Sequence, residues 1–152
     1  MIDLRASLDP ARTYLLGLSG GRDSVALLHL LHQQGFAKII PCHLNHQLRG
    51  AEAEKDAHFV AELCQSLAYP LESASCDVAA RAESKKNSLE TAARSARRQF
   101  FARCAEKFAC PRLLLAHHAD DQAETLLFNL LRGSASLRGM SPESRQVIGG
   151  QD

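Results

Sequence analysis

Charge of one sign is the first thing this chain lacks: 18 Lys and Arg stand against 17 Asp and Glu, for a formal charge of +1. Without a global basic field, any contact with nucleic acid has to be local. Paired cysteines are missing too. The five, Cys42, Cys64, Cys76, Cys104 and Cys110, are odd in number, widely spaced and free of any CxxC pair, which argues for reduced thiols in the cytoplasm. No run approaches the ~20 apolar residues needed to span a bilayer, and no charged leader with an apolar core opens the chain. The expectation is a soluble, non-exported protein with no membrane partner. Internal repeats and low-complexity tracts are also absent. Two widespread chemistries lack their signatures: there is no GxxxxGKS/T loop, and no HExxH or Cys/His quartet to support a zinc hydrolase.

What is present is apolar material, 45% of 152 residues, enough for one domain with a sizeable core. Four strand-like segments, Tyr14 to Ser19, Ile39 to Leu44, Leu71 to Cys76 and Leu113 to His117, alternate with amphipathic stretches. That alternation predicts a parallel sheet. The strands are continuous apolar runs such as Ile39-Ile40 and Leu113-Leu114-Leu115, as expected where helices cover both faces. The fold expectation is therefore α/β, a doubly wound parallel sheet of about five strands flanked by helices. Helices are predicted over Asp23 to Gln34, ending at Gly35; Glu52 to Ala68, before Pro70; Leu89 to Phe108, with Asn87 and Glu90 as a capping pair; and Asp120 to Leu131, stopping near Gly133. The stretch from Ser134 is rich in Ser and Gly and ends at Asp152 without another element, which predicts a truncated domain.

Between the first strand and the first helix stands Ser19-Gly20-Gly21-Arg22-Asp23-Ser24. Two glycines allow a sharp turn with bare N–H groups, and the helix points its positive end at the same spot, so the segment reads as a phosphate cradle. Arg22 and Asp23 occupy the neighbourhood of the lysine in the usual kinase-type loop. An aspartate beside a triphosphate makes sense when a divalent cation lies between them, which suggests a magnesium-bridged nucleotide. The plainer alternative is a glycine turn with Asp23 and Ser24 as helix caps. In such sheets ligands bind beyond the carboxyl ends of the strands. Three strands end in polar clusters: Ser19-Gly20-Gly21, then His43-Leu44-Asn45-His46 running on to Arg49, then His117-His118-Ala119-Asp120-Asp121. Asn45 and His46 fall where a ribose or base would lie. Asp121 and Glu124, three apart, share one side of a helix and read as cation ligands or as an acidic helix start. Arg94, Arg97 and Arg98 form a compact cationic patch, either solvated or able to grip phosphate.

Taken together, these residues resemble a known family. The SGGxDS loop is similar to the signature of the PP-loop, or N-type, ATP pyrophosphatases, the adenine nucleotide alpha hydrolase-like fold. Three further blocks narrow the likeness: HxNHxLR at His43 to Arg49, LExxARxxRxxF at Leu89 to Phe100, and HHxxDQxET at His117 to Thr125, running on to Leu131-Arg132-Gly133. In that order they resemble the N-terminal catalytic domain of the tRNA(Ile)-lysidine synthetase family, whose tRNA-gripping domains lie outside these residues. The resemblance implies that ATP adenylates C2 of the wobble cytidine in tRNA(Ile) with a CAU anticodon, releasing pyrophosphate, and that the amine of free L-lysine then displaces AMP. It implies that Ser19, Gly20, Gly21, Arg22 and Ser24 clamp the leaving diphosphate and that Asp23 holds Mg2+. Asp121 would share the metal or activate the attacking group, Arg97 would steady the adenylate, and His117 would receive lysine's proton. The family's RGxGxxGLxGM stretch is shorter here, Arg132-Gly133-Ser134-Ala135-Ser136-Leu137-Arg138-Gly139-Met140, with two glycines missing. Alternatives are a thiolating relative, disfavoured by the missing CxxC, and a non-catalytic ATP sensor, which would not need the acidic cluster. The sequence leaves a homodimer open.

Overall fold

The structure is a computed structural model that describes residues 3–118 and 126–130. Five strands form one sheet in the order β3-β2-β1-β4-β5. They are β1 (Tyr14–Gly17), β2 (Ile39–Asn45), β3 (Glu72–Ser75), β4 (Leu113–His118) and β5 (Leu126–Leu130). The first four run parallel, and β5 lies antiparallel to β4. The helices are α1 (Arg22–Gln33), α2 (Ala51–Ser66), α3 (Val78–Lys85) and α4 (Leu89–Lys107).

Strand residues alternate between two cores. Tyr14, Leu16, Ile39 and Leu114 pack with Leu27, Leu28 and Leu31 of α1 and Val60 and Cys64 of α2. Leu15, Cys42 and Leu113 pack on the other face with Phe100, Phe101 and Cys104 of α4. That two-sided cover is why β1 reads as an unbroken apolar run rather than an alternating one. A smaller cluster of Val78 and Ala82 against Ala92 and Ala96 seats α3 on α4, where alanines permit close approach.

Two sequence expectations are corrected. The helix predicted over Asp120 to Leu131 is not borne out at Leu126–Leu130, which pairs as a strand with β4. Five residues with one polar member, Asn129, are too few for a period that separates strand from buried helix. The start of α4 is capped by Ser88, whose side chain accepts from the Thr91 N–H, rather than by Asn87. Asn87 instead donates its N–H to Ala82 O, closing α3. The predicted loop over Arg132 to Met140 lies outside the described residues.

The topology fixes where a ligand can enter. From β1 the chain moves outward to β2 and β3 over one face, then crosses the other face to β4 on β1's free side. The carboxyl ends of β1 and β4 are thus adjacent at a switch point, the place where open parallel sheets leave a crevice.

Candidate functional site

The loop after β1 is held by a closed set of hydroxyl bonds. Ser24 Oγ donates to Gly21 O at 3.0 Å and accepts from Ser19 N at 3.2 Å. A hydroxyl has one hydrogen, so the 3.1 Å contact between the two Oγ atoms is donated by Ser19. Ser19 Oγ in turn accepts the Gly21 N–H at 3.2 Å. Gly20 sits at φ +87, a conformation that a side chain disfavours. Gly21 is the N-cap of α1, and no side chain caps the helix there, against the reading of Asp23 and Ser24 as caps. Val25 N–H is the amide that bonds back to Gly21 O, so the amides of Arg22, Asp23 and Ser24 form the first turn, where helices lack internal acceptors. An anion is favoured there. Arg22 is exposed, Asp23 half-buried and Ser24 buried. Ser24 therefore braces the loop with a hydroxyl already committed to protein partners.

The turn after β2 closes the other wall. The last backbone bond between β1 and β2 runs from Leu18 N to Cys42 O, and Leu18 O then accepts from the His43 ring, Nδ1 at 2.7 Å. A carbonyl only accepts, so His43 Nδ1 carries the hydrogen. Asn45, also buried, accepts the Gln47 N–H on Oδ1 at 2.8 Å and donates Nδ2 to Glu54 Oε1 at 3.1 Å. Both ends of its amide thus shape the turn and tie it to α2. His46 is half-buried, and burial, then the cation of Arg97, then His43 hold its pKa below the ordinary value. Arg97, exposed on α4, lies close enough for its charge to act on His46 from the opposite face.

The two walls enclose a cleft of about 520 Å³, lined by Ser19, Gly20 and Gly21 on one side and by residues 43 to 49 on the other. Ala53 and Asp56 of α2 complete it. Asp56 carried no signal in the sequence, being one of several acids on an amphipathic helix. The spatial cue is Gly20: a Cβ there would stand 3.5 Å from Asp56 Cβ and 3.4 Å from Val60. His117 and Ser19 each lie two residues beyond the paired Gly17 and Leu115, so both fall at the same rim. Asp121 lies outside the described residues. Arg94 pairs with Glu90 at 3.1 Å on the exposed face of α4.

Among the described residues, no group of three or more His, Cys, Asp or Glu is placed to hold a metal. Magnesium does not require one, since it is held by one or two carboxylates plus substrate phosphates. Asp23, in the first turn of α1, fits that lesser demand.

The fold and cleft define an α/β domain with a glycine turn leading into a helix beside a topological switch point. This chain belongs to the PP-loop domain family, whose match covers residues 3–151. It is similar to the tRNA(Ile)-lysidine synthase of Bacillus subtilis, 42% identical over 137 residues, which are 88% of this chain and 29% of that protein. The tRNA(Ile)-lysidine synthase of Geobacter sulfurreducens is 42% identical over 144 residues, 93% of this chain and 30% of that protein. The chain thus spans under a third of the length of these relatives. A solved NH3-dependent NAD synthetase from Campylobacter jejuni shares the fold, with TM-score 0.52 and 20% identity over 74% of this chain and 48% of that one. No described helix is long and apolar enough to cross a membrane.

Proposed function

We propose that this chain is the ATP-using domain of a tRNA(Ile)-lysidine synthase, joining free L-lysine to C2 of the wobble cytidine of a CAU-anticodon tRNA(Ile). The observation that carries the reading is the cleft between the Ser19–Ser24 loop and the His43–Arg49 turn, in a chain 42% identical to relatives of that name.

The chemistry suits the residues. Adenylation attacks the α phosphate and expels the β and γ phosphates, so the protein has to grip the leaving diphosphate and spread its charge. The amides opening α1 and Gly20 would receive those oxygens, with Arg22 beside them. Bound magnesium, carried by Asp23 and by Asp121, would neutralise phosphate charge. Arg97, whose charge acts on His46, would hold the adenylated cytidine. Lysine's ammonium must shed a proton before its amine displaces AMP; His117, in β4 at the same rim, would accept it. The cysteines speak against the thiolating alternative: Cys42, Cys64, Cys104 and Cys110 are buried, and none of the five lines the cleft. Burial pushes the Cys64 thiol up to about 11, far from the thiolate that sulfur transfer needs.

The test is incubation of the full-length protein with ATP, magnesium, labelled lysine and CAU-anticodon tRNA(Ile). Label is expected in the tRNA, with AMP and pyrophosphate released. ADP and phosphate as products would make the loop a γ-phosphate site and overturn the reading. Asp23→Ala and Asp121→Ala are each expected to cut turnover by about 10²-fold or more.

A further inference from the structure

His43 is 4% exposed, lines the cleft, and has a buried Nε2 with no hydrogen-bond partner among the described residues. A buried nitrogen left bare costs free energy unless something arrives to satisfy it. In the neutral ring, the role of Nε2 is decided by the bond on the other side. Because Nδ1–H is spent on the Leu18 carbonyl, the neutral imidazole presents Nε2 as an acceptor. A phosphate oxygen, itself an acceptor, would be repelled there. What Nε2 calls for is a neutral donor.

We propose that His43 is a nucleoside-reading residue: Nε2 accepts a hydrogen bond from a donor on the bound nucleoside, a ribose hydroxyl or the exocyclic amine, while Nδ1–H holds the Leu18 carbonyl. This assignment rests on the nucleotide reading of the cleft. Leu18 immediately precedes Ser19, so a single ring touches both the nucleoside wall and the root of the phosphate loop. Occupancy of one would thereby fix the position of the other. Arg97 of α4, His46, and the acids Glu54 and Asp56 of α2 surround this wall, but none of them bonds to Nε2.

Asparagine places its amide nitrogen where histidine has Nδ1, so His43→Asn keeps the donor to Leu18 and deletes the acceptor. In calorimetric titrations of the full-length protein with magnesium present, His43→Asn is expected to bind ATP about tenfold more weakly while tripolyphosphate binds as in the wild type. Wild-type protein should lose about tenfold for one of 2′-deoxy-ATP, 3′-deoxy-ATP or the 6-desamino analogue, which identifies the donor; His43→Asn should lose nothing further with that analogue. As a check that needs no variant, the 15N resonance of His43 Nε2 should move upfield with ATP and stay put with tripolyphosphate. Equal weakening of both probes in His43→Asn, unchanged ATP affinity, indifference of the wild type to all three analogues, or an Nε2 already bonded without nucleotide would each overturn the assignment. Wild-type protein that binds neither ATP nor tripolyphosphate overturns the nucleotide reading, and this assignment with it. Binding of both without coupling removes His43 alone.

Discussion

Ser24 shows how one side chain can set a loop that it does not expose. Its hydroxyl meets Ser19 N–H, Ser19 Oγ and Gly21 O, so Ser24→Ala leaves the Ser19 amide and hydroxyl without their acceptor, while Gly21 O keeps the Val25 N–H. The expected cost is about 1–3 kcal/mol in urea unfolding, with ATP affinity falling alongside. Gly20→Ala acts differently, through backbone strain at φ +87, with a stability loss of about 1–2 kcal/mol and room for the methyl group itself. Unchanged unfolding curves for both variants would mean the loop is not held as described. His46 adds a dependence on pH whose sign follows from its depressed pKa. Between that native value and the ordinary value near 6.5, the unfolded chain binds more protons than the folded one. Stability from this group is therefore complete above about pH 6.5 and is lost as the pH falls through the native value. His46→Gln should flatten that part of a stability-against-pH curve measured from pH 8 down to 5; an unaltered slope would clear His46 of the effect.

Secondary elements differ in how plainly their sequences announced them. β1, β2 and β4 were readable because two-sided burial demands unbroken apolar runs, and α1 because Gly20, Gly21 and Gly35 bracket it. Gly35 takes φ +79, which explains the stop at that point. α3 was not foreseen: eight residues long, it buries only Val78 and Ala82, too short a stripe to register as a helical period. The segment at 126–130, four apolar residues around Asn129, is too short for its pattern to separate helix from strand, and pairing with β4 decides the outcome. At the site, the glycine loop and the β2 turn were legible as motifs. The inward uses of Ser24 and Asn45, and the approach of Asp56, exist only in three dimensions. Gly17 belongs to this scale as well. A Cβ there would collide with Leu115 and stand 3.0 Å from Phe101 Cζ, so β1 and α4 meet as closely as they do only because the position is bare. Gly17→Ala is expected to cost about 1–3 kcal/mol by overpacking, read as a lower denaturation midpoint at unchanged m-value. A neutral result would mean that the sheet and α4 can part without penalty.

For the molecule as a whole, the strand order carries the consequence. Because β1 lies between β2 and β4, with all three parallel, the loop at Ser19–Ser24, the turn at His43–Arg49 and the exit from β4 share one rim. The opposite rim, where Lys38 O bonds Tyr14 N and Arg5 binds the Gln34 carbonyl, has no part in the cleft. A nucleotide seated in the cleft should therefore slow amide hydrogen exchange in segments 18–24 and 43–49 and leave the edge strand Glu72–Ser75 and the 34–38 turn as they were. Ligand at 100 times its Kd adds about 2.7 kcal/mol of stability to every amide that exchanges by global unfolding. The site is thus read from protection beyond that uniform gain, in amides that exchange by local opening. Extra protection confined to the 34–38 rim, or spread evenly over both rims, would place the ligand elsewhere and detach the glycine loop from nucleotide binding. Protection at 18–24 with tripolyphosphate, extending to 43–49 only with ATP, would mark the first wall as the phosphate side and the second as the nucleoside side.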